Sequence, residues 1–203
     1  MSLRLIANFF TYLFHPLLLL TYAVGFIIWT NPYIIPPEKT FKTIFQIFNN
    51  TFIYPMIVMF LMIKLKFLKT IKMEDKRDRY VPYIVITIFY GSSLMLAKIQ
   101  NFPPELLLVL FGSTIAVFSA SMVNIYYKIS IHAVGVGGIV TLMFGLQALT
   151  EYNLFVPLII TIMVAGLVGS SRMYLAAHHP SEIYSGYFVG MISQLLAFNL
   201  IAL

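Results

Sequence analysis

The chain has 203 residues, 60% of them hydrophobic and only 10% charged, with a mean hydropathy of +0.90. A soluble domain of this length needs far more polar surface, so the composition excludes one and implies an integral membrane protein. The absence of cysteine excludes a disulfide framework and thiolate chemistry. The net charge of +6 lies between apolar stretches, which argues for a membrane–water interface, or an anion held there, over nucleic acid.

A spanning helix needs about 20 mostly apolar residues. Seven stretches qualify in chain order: 3–29, 50–68, 81–99, 104–127, 132–150, 154–172 and 182–203. The first lacks a small-residue cleavage site and reads as a span rather than a signal peptide, kinked at Pro16. Segment 36–49 has its own pattern. Phe41, Ile44, Phe45 and Phe48 recur at helical spacing, with Lys42, Gln46 and Asn49 opposite, which predicts an amphipathic helix lying in the interface or capping the second span. Short polar breaks at Gln100–Pro104 and Thr150–Asn153 predict tight hairpins. Small residues (Gly135, Gly137 and Gly138; Gly166 and Ser170; Gly186 and Gly190) mark faces where helices pack closely. The expected fold is all-α: one polytopic transmembrane bundle of about six to seven spans, with 1–203 as a single domain.

The remaining polar residues gather in three clusters, KTIKMEDKRDRY (69–80), YKISIH (127–132) and SRMYLAAHHPSE (171–182). Two crossings separate each from the next, so span parity puts all three on one membrane face. Lys72, Arg77, Arg79, Lys128 and Arg172 supply cations, Ser130 a donor, and His132, His178 and His179 groups that move protons or attack an electrophile. Forked guanidinium donors suit a multiply charged tetrahedral anion. Ser130 fits the N-cap of the fifth span and Pro180 the first position of the seventh, where helix N-termini also favour an anion. Histidine in a phosphate cradle points to phosphoryl transfer, through a phosphohistidine or an activated water. No carboxylate cluster resembles a magnesium site and the histidine spacing fits no zinc pattern, so no metal and no cofactor are expected.

These clusters resemble the signature of the type 2 phosphatidic acid phosphatase (PAP2) superfamily, over about 110 residues from 72 to 182. Lys72-x6-Arg79 is similar to its first motif in spacing, with the proline at 82 instead of directly after the arginine. Ser130-Ile131-His132 resembles the second without its proline and glycine. Ser171-Arg172-x5-His178-x3-Glu182 matches the third in spacing, with glutamate for aspartate. The resemblance implies a PAP2-like core over about 50–203. It implies His178 as nucleophile, Glu182 holding its ring, and His132 as proton donor to the leaving alkoxide. Lys72, Arg79, Arg172 and Ser130 would bind phosphate oxygens. Lys128 would assist, or simply anchor at the interface. His179, one position off the pattern, reads as a bystander.

Lys64, Lys66 and Lys69 read as interfacial anchors, and Tyr126 and Tyr127 as an aromatic belt. His15, beside Pro16, predicts a structural hydrogen bond to a neighbouring helix. With the proposed ligands set aside, the cluster face carries Arg4, Lys64, Lys66, Lys69, Lys76 and Arg77, against Lys39, Lys42 and Lys98 opposite. The positive-inside rule then puts the site at the cytoplasmic face of a bacterial inner membrane, whereas the resemblance implies an outward-facing one. The expected activity is metal-independent hydrolysis of a lipid phosphomonoester or diphosphate, with the lipid phosphate and the bilayer as partners and no nucleic acid. The alternative is a catalytically silent relative that binds or moves an anionic lipid.

Overall fold

The computed structural model describes residues 2–68, 77–151 and 153–201. Among these there is no strand, and the fold is an all-α polytopic bundle. Helix α1 (Leu3–Leu13) and α2 (Pro16–Thr30) are followed by α3 (Pro37–Phe48), a π turn (Asn49–Ile53) and α4 (Tyr54–Lys64). A short 3-10 turn (Arg77–Arg79) leads into α5 (Tyr80–Ile99). Then come α6 (Pro104–Tyr126), α7 (Ile131–Leu149), α8 (Phe155–Tyr174) and α9 (Pro180–Leu200). Among the described residues six helical runs are long and apolar enough to cross a membrane, and a seventh is added if the bent α1–α2 pair is one span. The chain is therefore an integral membrane protein. Phe60, Ile88, Ile160 and Phe188 face outward, as lipid-facing side chains do.

The kink expected at Pro16 is present as a full break: α1 and α2 meet at 61°, because Pro16 lacks the N–H that would continue the ladder. The segment 36–49 is helical as expected, yet it runs through the π turn into α4 as one 28-residue helix, Pro37–Lys64. Thr43 and Ile47 are buried and Ile44 packs partly against the core, while Phe41 and Phe45 are exposed.

Helix ends follow their local chemistry. Prolines open α2, α3, α6 and α9, where a missing N–H costs nothing. Three ends turn through a left-handed residue, Lys66 (φ 63°), Asn101 (φ 54°) and Ala176 (φ 52°). Asparagine tolerates that conformation; alanine carries a cost of about 1 kcal/mol there. At Ala176 the turn closes α8 with Ala177 N–H donating to the Arg172 carbonyl at 3.1 Å, and so sets the path to His178.

The most extensive helix pairing joins α7 to α9. A Cβ on Gly137 would sit 2.7 Å from the Tyr187 carbonyl oxygen, and one on Gly186 2.7 Å from that of Ser130. These glycines let two backbones touch, as the small-residue pattern predicts. Gly166 does not share that role, since nothing lies within 4 Å of its Cβ position. The α7–α9 contact is what holds the start of α7 against the start of α9.

Candidate active site

Ser130 caps α7, its Oγ accepting the Ala133 N–H at 3.5 Å. Its own N–H donates to the Glu182 carbonyl at 3.1 Å, which ties the beginning of α7 to the first turn of α9. Pro180 starts α9 as the sequence implies, and Glu182 occupies its third position. There the carboxylate is buried, favoured by the helix N-terminus. The Glu182 Oε2 lies 2.6 Å from His178 Nδ1 and accepts the His179 N–H at 3.4 Å, while Lys128 Nζ approaches to 3.9 Å. A carboxylate on Nδ1 fixes the proton there and leaves Nε2 as the basic nitrogen.

His178 is buried, and its side chain lines a cavity of about 560 Å³. Arg79, His132 and Arg172 line the same cavity, so residues from the starts of α5 and α7, the end of α8 and the α8–α9 loop converge. Arg79 comes from the 3-10 turn, is buried, and donates from Nη1 to the Ile129 carbonyl at 3.0 Å, which holds the guanidinium against the start of α7. His132 Nε2 and Arg172 Nε are buried with no hydrogen-bond partner among the described residues. Buried polar atoms are normally satisfied, so this pair marks a place where a ligand's oxygens complete the site. Burial, helped by the Arg79 and Arg172 charges, lowers the His178 pKa to about 4 against the opposing pull of Glu182. An imidazole held neutral keeps its lone pair for attack.

The remaining sequence-predicted residues divide. Ser130 is fully buried and stands behind His132 as a helix cap, outside the cavity lining. Lys128 is a brace: its Nζ donates to the Ala177 carbonyl at 3.1 Å and pairs with Glu182, on the far side of the His178 loop. His179 is the N-cap of α9 and exposed, and it is not among the residues that line the cavity. Lys72 lies outside the described residues, as do Lys69 and Lys76. Among the described residues no group of three or more His, Cys, Asp or Glu gathers as metal ligands, and the positive charge facing the cavity comes from the two arginines.

One contributor has no place in the motif pattern. His15 sits in the break between α1 and α2 and lines the cavity, its ring edge-on to His132 at 5.7 Å and 83°. Its Nδ1 accepts the Leu17 N–H at 3.4 Å, so the expected bond to a neighbouring helix is instead a cap on its own. The signal available was an ionisable residue beside a proline within an apolar span. No family model, no curated protein and no solved structure matches this chain.

Proposed function

We propose that this protein is a membrane lipid phosphatase that works through a phosphohistidine without a metal ion. One observation carries the reading: His178, clamped by Glu182 at 2.6 Å, shares a cavity with Arg79, Arg172 and His132. In the proposed reaction the phosphate oxygens lie against the two guanidinium groups, which balance their charge. His178 Nε2 forms a bond to phosphorus as the phosphorus–alkoxide bond breaks. The alkoxide takes the proton of His132, in its imidazolium form, and leaves as the lipid alcohol. Water, losing a proton to His132, then attacks phosphorus; the phosphorus–nitrogen bond breaks, and inorganic phosphate and free His178 result. The same chemistry serves a phosphomonoester or a diphosphate.

The test is phosphate release by the detergent-purified protein in EDTA from a panel of lipid phosphates. Release from at least one is expected, with an acid-labile, base-stable phosphoenzyme on rapid quenching. Tight binding without release from any would favour the silent relative. For the membrane, we infer the bacterial inner membrane with the site at its cytoplasmic face, because positive charge is concentrated on the cluster side. Labelling of Lys76→Cys in intact cells by an impermeant thiol reagent would reverse that orientation; protection until lysis is expected.

A further inference from the structure

The cavity is far larger and more apolar than a phosphate needs. From Arg79 it follows α5 past Tyr83 and Ile86 to Tyr90, eleven residues or about 16 Å along a helix. Val109 and Val117 on α6 and Ile139 on α7 form other parts of its wall. The Tyr90 hydroxyl donates to the Pro16 carbonyl at 3.4 Å, which leaves its ring to the wall. At the inner end the buried Gln194 side chain lies over Gly112, where a Cβ would collide with it, and its amide donates to the Leu108 carbonyl at 3.4 Å. The polar groups of the proposed phosphate site thus stand at one end of an apolar chamber.

We infer that this chamber receives the hydrocarbon chain of the lipid phosphate, so that the part of the chain next to the phosphate runs inside the bundle and not in the surrounding bilayer. The inference rests on the lipid phosphatase reading for the identity of the head group. Apolar cavities in proteins stay dry and take up apolar ligands, and a pocket of 300–1,000 Å³ is the ordinary size for one small molecule. A chain anchored by its phosphate between Arg79, Arg172 and His178 has this space directly beyond it. The alternative path, along the lipid-facing side of the same helix, is marked by Ile84 and Ile88, which are 53% and 63% exposed. Helix α5 therefore presents two separable faces to a chain.

Hexadecyl phosphate with a diazirine at mid-chain, photolysed with the protein in nanodiscs, distinguishes them. Insertion is expected at Tyr83, Ile86 or Tyr90 and at Val117, reduced at least tenfold by excess unlabelled hexadecyl phosphate. Val117→Phe, which fills the chamber, should reduce labelling of Ile86 at least fivefold. Insertion at Ile84 and Ile88, at neither face, or at the inner face without competition overturns the inference. Labelling needs no turnover. Inner-face insertion with no phosphate released from any lipid would leave the chain site standing and remove the phosphatase reading; phosphate release with outer-face insertion would do the reverse.

Discussion

Replacing His178 with alanine is expected to reduce phosphate release by at least about a thousandfold, to the background of the lipid phosphate alone, while lipid binding persists. Removal of an activated nucleophile ordinarily costs that much, because the two easier steps it creates collapse into one difficult one. Binding should survive because Arg79 and Arg172, which carry the charge facing the cavity, are untouched. The measurement is initial phosphate release alongside rapid-quench phosphoenzyme. Full activity in His178→Ala, or a phosphoenzyme that still forms there, would rule out His178 as the nucleophile. His179→Ala is the matched control. That ring is exposed at the N-cap of α9, and its loss should leave release within a few-fold.

The second large effect belongs to Arg172. Its Nε is buried with no hydrogen-bond partner among the described residues, and its charge is among the causes that depress the His178 pKa. Arg172→Gln is expected to lower kcat/KM by roughly 10²–10³, the usual cost of deleting one charge-assisted donor to a developing anion. The pH profile should move as well, and its sign is fixed. In the proposed reaction His178 acts as the neutral form, and burial together with the Arg79 and Arg172 charges holds its pKa below the ordinary 6.5, so its protonation limits kcat/KM only on the acid side. Removing a nearby positive charge raises that pKa, so the acid limb of kcat/KM should shift to higher pH in Arg172→Gln. The substrate's own ionisation is common to both proteins and cancels in the comparison. A profile that falls in rate but keeps its acid limb would separate Arg172 from His178.

Much of the bundle was legible in the chain because bilayer thickness imposes a length that hydropathy reports locally. The spans from α5 to α9 begin and end within a few residues of their sequence-derived limits, with Pro104 and Pro180 as punctuation. The polar clusters were legible for the same reason: few charges are tolerated in such a chain, so each one stands out. Span parity also anticipated that Arg79, His132, Arg172 and His178 would lie at one end of the bundle, and all four line one cavity. The expected pairing of His178 with Glu182 is present at 2.6 Å, although His178 stands just before the first turn of α9 and not within it.

Other features depend on how helices rotate and tilt against one another, which no local pattern encodes. Segment 36–49 has a clear amphipathic period, but that period does not reveal that the helix runs on through the π turn into α4 and places Thr43 and Ile47 in the core. Ser130 and Lys128 carry the right chemistry for a phosphate, yet the close α7–α9 approach engages one as a helix cap and the other as a brace for the Ala177 carbonyl. His15 enters the cavity because the 61° break at Pro16 brings its ring beside His132, more than a hundred residues away in sequence.

The amino-acid sequence by itself therefore determined that the chain crosses a membrane, where its helices from α5 onward start and stop, and which few polar residues gather at their ends. Solvation by lipid acts residue by residue and leaves its mark in composition. Tertiary structure alone decided which of those residues face a common space, that His15 joins them, and that an apolar chamber extends behind them. Those outcomes come from side-chain packing between sequence-distant helices, whose complementarity is a property of pairs of surfaces and not of any one segment.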